Sequence, residues 1–265
     1  MLRFESVYLD SPFVPGRALD LFRPDEVRAA APALFFVHGG GWHAGSRVDC
    51  HKLMEYFRGR GHFCAAADYR LNVTATDQLA DLRESIRYFA DLLAAAGHNG
   101  RIVIYGGSAG AHLAALLALA APGSCGERVA GAAVPAAGLI VSAFPPYFAP
   151  WPNIFPPIAE AMRRAAGRAY PDDPELYRRL SPIHHVKASS CPVLNLHAAN
   201  EHMFPLRHSL EFEAKMRDCG CSCRTVIAED AEHGFFYDVT RECQQKALRE
   251  VEAFLEKTDN FYFRS

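Results

Sequence analysis

The sequence predicts an α/β protein, a single domain over residues 1–265 with a mostly parallel central sheet and helices on both faces. Three observations predict it. Short apolar runs of strand length alternate with longer stretches of helical period, as in strands joined by crossover helices. The run at 33–37, Ala-Leu-Phe-Phe-Val, is apolar throughout, as a strand covered on both faces is. The chain has 265 residues, half of them hydrophobic, which suffices for one sizeable core.

The elements follow in order. Residues 33–37 form a strand that ends in His38-Gly39-Gly40-Gly41-Trp42, and 63–68 form the next strand. Over 78–96, Leu79, Leu82, Ile86, Phe89 and Leu93 make one helical stripe, which Gly97 and Gly100 end. Residues 101–105 are a strand running into Gly106-Gly107-Ser108-Ala109-Gly110. An apolar helix follows over 109–121 and stops at Pro122-Gly123. Strands are expected at 139–144, 192–196 and 224–228, with helices at 205–218 and 239–257. Residues 145–180 break the rhythm. Eight prolines, interleaved with Tyr147, Phe148, Trp151 and Phe155, exclude a sheet strand and predict a cap insertion, helical near 158–169. Long insertions at a catalytic edge often bind substrate, so Trp42, Trp151 and Phe155 are candidate substrate contacts.

A net charge of -2 argues against nucleic acid or an anionic membrane as partner. No apolar run reaches membrane-spanning length. No basic segment followed by an apolar one opens the chain, so the expectation is a cytoplasmic protein. Of the eight cysteines, five are scattered and read as small buried residues. Cys219-Gly220-Cys221-Ser222-Cys223 is denser, but its spacing fits no common zinc pattern, so neither metal nor cofactor is expected.

The two glycine-framed motifs carry the chemistry. Gly-x-Ser-x-Gly after a strand is the nucleophile elbow, which exposes the hydroxyl of Ser108 on a sharp strand-to-helix turn. The triple glycine offers N–H groups to a developing oxyanion, so Gly40 and Gly41 join Ala109 as candidate donors. A serine hydroxyl needs a base and a group to orient that base. His233, in a glycine-containing loop after the last strand, is the candidate base. His38, His112, His184 and His185 read as structural or peripheral. The acid is Glu201, the only carboxylate in the loop after the strand at 192–196, or Asp230, three residues before His233.

These motifs resemble the α/β-hydrolase superfamily, and within it the hormone-sensitive-lipase-like and feruloyl-esterase-like carboxylesterases. The resemblance covers about residues 30–257 and includes Asp68-Tyr69-Arg70-Leu71 and Ser181-Pro182. It implies an α/β-hydrolase fold and metal-independent hydrolysis of small to medium carboxylic esters, such as acylated sugars or aromatic esters. In such relatives the acid loop reads His-Gly-x-x-Asp. Here it reads His197-Ala198-Ala199-Asn200-Glu201, and the register puts Glu201 in the acid's place. Relatives with similar motifs include arylformamidases. A non-catalytic small-molecule binder on the same fold is the third reading, which an intact Ser108 and His233 disfavour.

Overall fold

The computed structural model describes residues 4–9, 17–26, 28, 30–129 and 131–261. Eight strands form one sheet: β1 (Glu5–Tyr8), β2 (Ala18–Phe22), β3 (Ala33–Val37), β4 (Cys64–Ala67), β5 (Ile102–Gly107), β6 (Ala136–Ser142), β7 (Val193–Asn200) and β8 (Cys223–Glu232). Their order is β1-β2-β4-β3-β5-β6-β7-β8. The β1–β2 and β2–β4 pairings are antiparallel, and every pairing from β4 to β8 is parallel. The parallel strands therefore all end on one edge, where ligands meet open α/β sheets.

Helices cover both faces, which is why β3 and β5 are buried along their whole length. One face packs Phe35, Ile104 and Val141 against α2 (Ala75–Ala95) and α3 (Ala109–Leu119). The other packs Phe36, Val103 and Leu194 against α1 (His51–Arg58) and α7 (Glu242–Phe261). The helix α6 (Leu206–Asp218) lies between β7 and β8 in sequence and buries Phe212 against Phe144, ring centroids 5.0 Å apart. Several expected bounds shift. β6 spans Ala136–Ser142 rather than 139–144, β7 runs on to Asn200 rather than 196, β8 runs on to Glu232 rather than 228, and α7 begins at Glu242 rather than 239. No sequence reading assigned β1, β2 or α1. β1 is mostly exposed, and β2 is interrupted as an apolar run by Asp20, which is buried against His51 and Arg47.

The proline-rich stretch leaves the sheet between β6 and β7 and holds α4 (Pro156–Ala166) and α5 (Pro174–Arg179). Prolines open both helices, where a missing N–H removes no helical bond. Ser181 ties the stretch together: its hydroxyl donates to Tyr177 O at 2.8 Å and accepts Phe148 N–H at 2.8 Å. Phe148, Met162, Tyr177 and Leu180 pack the stretch into the core, and His112 of α3 adds a polar attachment. The His112 Nε2–H donates to Leu180 O at 2.7 Å, Nδ1 accepts Trp42 Nε1–H at 3.2 Å, and the ring stacks on Phe148. This bonding requires a neutral imidazole.

Burial drives His112 down to about 4, against the upward pull of its bond to Leu180. An unfolded chain protonates the ring near 6.5. Between those values the unfolded state binds more protons, so the His112 contribution is lost as pH falls from 6.5 towards 4. From pH 7 to pH 5 the loss is about 2 kcal/mol. Urea midpoints should fall over this interval, and His112→Asn should flatten that fall. Equal slopes in both proteins would exclude His112 as the source.

Candidate active site

Ser108 follows β5 directly, with φ 55° and ψ -122°. For a residue with a side chain this is strained backbone, the kind that persists where surrounding structure enforces it. Its N–H donates to Ser142 O at 2.8 Å, fixing the turn to the neighbouring strand β6. Ala109, the next residue, opens α3, so its N–H is one of the first-turn donors that have no acceptor within the helix.

The triple-glycine loop leaves β3 beside this turn. Gly40, Gly41 and Trp42 all have left-handed backbone, with φ of 109°, 59° and 66°. A side chain at Gly40 would also collide with the Ala44 carbonyl, so glycine is required there. The loop carbonyls are held from behind. Tyr69 O–H donates to His38 O at 3.0 Å, and His38 Nδ1–H donates to Gly39 O at 2.8 Å. The Tyr69 and His38 rings stack at 4.3 Å. His43 Nδ1–H takes Gly41 O at 2.7 Å. Asp68, at the end of β4, accepts the Arg47 N–H at 2.7 Å and its guanidinium, which anchors the far end of the loop. Gly40 and Gly41 line the cleft with Ser108.

The candidate acid and base come from adjacent strands. The β7–β8 ladder has a register shift after Ala198, beyond which Asn200 pairs with Glu232. Glu201 and His233 each come one residue after that pair, so their loops emerge side by side. Ser108 Oγ–H donates to His233 Nε2 at 3.0 Å, and His233 Nδ1–H donates to the Glu201 carboxylate at 2.8 and 3.0 Å. Glu201 Oε1 also accepts the N–H groups of Met203 at 2.7 Å and Phe204 at 3.3 Å. Burial pushes Glu201 up, but its bond and charge interaction with His233, helped by these N–H donors, hold it below the ordinary glutamate value. Asp230 is exposed with φ 54°, and its carbonyl accepts Arg241. Among the described residues, the carboxylate hydrogen-bonded to His233 is that of Glu201. The His233 loop is pinned by Tyr105 O–H to Phe236 O at 2.7 Å, Gln244 to Phe235 O at 2.7 Å, and Arg241 on Glu232.

A cleft of about 860 Å³ opens over these groups. Pro157, Ile158, Ala161 and Met203 give it an apolar wall, while Lys52, Asp238, Arg241 and Glu232 line a charged end. The three aromatic residues expected in a substrate pocket are placed otherwise. The Trp42 indole is buried, bonded to His112 and edge-on to Phe148, so it ties the loop to the core. Trp151 packs on Phe204 and His208, and Phe155 is exposed beside His202. None of the three lines the large cleft. Phe155 precedes the helix, and α4 turns Ile158 and Ala161, one turn apart, towards Ser108 instead. The prolines marked the excursion but not which face of its helix would point inward.

The cysteines are all free. Cys221 reaches the Lys187 carbonyl at 3.2 Å, and no cluster of metal-ligating side chains occurs among the described residues. Among those residues, no helix is long and apolar enough to cross a membrane. Sequence reasoning passed over Tyr237, whose hydroxyl donates to Gly107 O at 3.0 Å. Its place four residues after the candidate base was the available signal.

The chain is similar to several known proteins. The chain is 29% identical over 249 residues to esterase LipQ of Mycobacterium tuberculosis, covering 88% of this chain and 58% of that protein. It is 31% identical to the probable carboxylic ester hydrolase LipM of the same organism, over 76% of this chain and 49% of the relative. It therefore spans about half the length of these curated relatives. Esterase 2 of Thermogutta terrifontis, solved phosphonylated by sarin, superposes with a TM-score of 0.80 at 28% identity, covering 97% of this chain and 94% of that one. The BD-FAE family matches residues 19–216, a span that takes in the triple glycine, the elbow and Glu201 and stops before His233. That match extends over well more than half of the chain, on a sheet whose parallel strands deliver both glycine motifs to one edge, and the protein belongs to the BD-FAE family of α/β-hydrolases.

Proposed function

We propose that the protein is a serine carboxylesterase that works through an acyl-enzyme on Ser108. The observation that carries this is the continuous relay from Ser108 Oγ through His233 to a buried Glu201 carboxylate, each link a hydrogen bond of about 3 Å. His233 Nε2 takes the serine proton as Oγ attacks the ester carbonyl carbon. The tetrahedral oxyanion forms against the N–H groups of Ala109, Gly40 and Gly41. Glu201 holds the proton on Nδ1 and stabilises the imidazolium. Collapse breaks the carbon–oxygen bond, with His233 returning its proton to the leaving alcohol. Water then attacks the acyl-enzyme by the same route and releases the acid. The groups needed are side chains and backbone amides of this chain alone.

The stretch at 145–180 acts as a cap, because α4 supplies the apolar wall through Pro157, Ile158 and Ala161. A short acyl chain lies against that wall. The structural neighbour from T. terrifontis has been solved with propionate and with butyrate bound, which supports acids of this size. The test is a panel of p-nitrophenyl esters from acetate to decanoate, with N-formylkynurenine in parallel. Turnover that peaks at two to four acyl carbons is expected. Preference for the formamide would reassign the reaction to amide hydrolysis, and no turnover of either would refute the esterase reading.

A further inference from the structure

We infer that Tyr237 is a positioning residue that locks the triple-glycine loop to the nucleophile turn and the histidine loop through its hydroxyl. The inference rests on the esterase reading above. The hydroxyl donates to Gly107 O at 3.0 Å and lies against the Gly39 backbone. Gly107 immediately precedes Ser108, and Gly39 immediately precedes the Gly40-Gly41 donors. Tyr237 itself is four residues beyond His233. One oxygen atom therefore joins the three loops that must agree in position for the reaction to occur.

The fit is close. A Cβ at Gly39 would fall 2.6 Å from the Tyr237 oxygen, and one at Gly107 would fall 2.5 Å from it. The hydroxyl thus fills the gap between the two loops, and glycine at both positions makes room for it. Core packing does not demand a phenol here. The neighbouring Phe236 fills the core with a plain ring, whereas Tyr237 lines the cleft. Burial raises the phenol above its ordinary value, so it remains a donor to Gly107 at neutral pH. An oxyanion hole works only if its donors are already placed where the charge develops. Removing the hydroxyl opens the space beside Gly39, whose peptide sets the direction of the next two.

Tyr237→Phe removes the oxygen and keeps the ring. Loss of one complete oxyanion donor costs about 10²–10³ in kcat, so a loop that is loosened but still present should cost about 10-fold to 100-fold. On p-nitrophenyl butyrate kcat should fall by that factor, with KM changed less than twofold. Affinity for a trifluoromethyl ketone, which forms a tetrahedral oxyanion on Ser108, should fall in parallel, while product inhibition by butyrate stays constant. A purely structural role would lower the melting temperature without separating these readouts. Tyr237→Leu, also lacking the hydroxyl, should show the same split if the phenylalanine variant folds poorly. Unchanged kcat, or equal losses in ketone and butyrate binding, would overturn the inference. If the wild type hydrolyses no ester, the esterase reading fails, and Tyr237 is judged by whether its loss slows phosphonylation of Ser108 by a fluorophosphonate at least tenfold.

Discussion

Ser108→Ala should lower kcat by about 10⁴- to 10⁶-fold, because nucleophile, base and acid act as a unit and lose most of their effect together. The fold should tolerate the change. Ser108 keeps its φ of 55° through the Ser142 contact of its own main-chain N–H, which alanine retains, and its side chain bonds only to His233 among the described residues. Substrate binding should therefore survive, with KM near the wild-type value. A fluorophosphonate should label the wild type at Ser108 and leave the variant unlabelled, read by mass spectrometry of the peptide. Retained esterase activity in the variant would move the chemistry to another residue.

Glu201→Gln should lower kcat by up to ~10⁴, since an amide can present its NH₂ to His233 Nδ1 and favour the wrong tautomer. The more informative variant is Glu201→Asp. The carboxylate now receives His233 and two backbone N–H groups at 2.7–3.3 Å. Shortening the side chain withdraws it by about 1.5 Å, one carbon–carbon bond. Misplacement of about 1 Å in a catalytic array can cost about 10²-fold, so the aspartate variant should fall between wild type and glutamine. Asp230→Asn should leave kcat within a few-fold. Loss of activity in Asp230→Asn with Glu201→Gln near normal would reverse the assignment of the acid.

The parts of this molecule that could be read from sequence are those whose environment is uniform. β3 and β5 are covered on both faces and so appear as unbroken apolar runs; β5 ends in glycine and β3 is followed by His38 and then three glycines, because a loop must turn sharply there. The outer strands do not announce themselves. β8 continues through Glu229, Asp230 and Glu232, which point to solvent at the rim of the sheet and resemble a loop. Because that strand runs on to Glu232, the register that brings Glu201 opposite His233 was not visible in either segment alone. The aromatic residues failed as guides for a different reason. Trp42 has the same composition signature whether its indole faces a ligand or the core, and a left-handed backbone at φ 66° with a bond to His112 decided for the core. A hydroxyl such as that of Tyr237, whose acceptor is the backbone of a glycine 130 residues away, leaves no local signal beyond its nearness to His233.

The strand order has a consequence for how activity is lost. β8 is an edge strand, paired on one side only, and His233, the candidate base, follows its end. Rim strands open at lower free energy than central ones, in partial excursions that leave the middle of the sheet intact. In this protein such an excursion would part His233 from Ser108, which follows β5 in the middle of the sheet. Heat-inactivation is then expected to begin with local detachment of the β8 rim, which the Tyr105–Phe236 and Tyr237–Gly107 bonds oppose. On this expectation, resistance to heat depends on the periphery of the protein more than on its core.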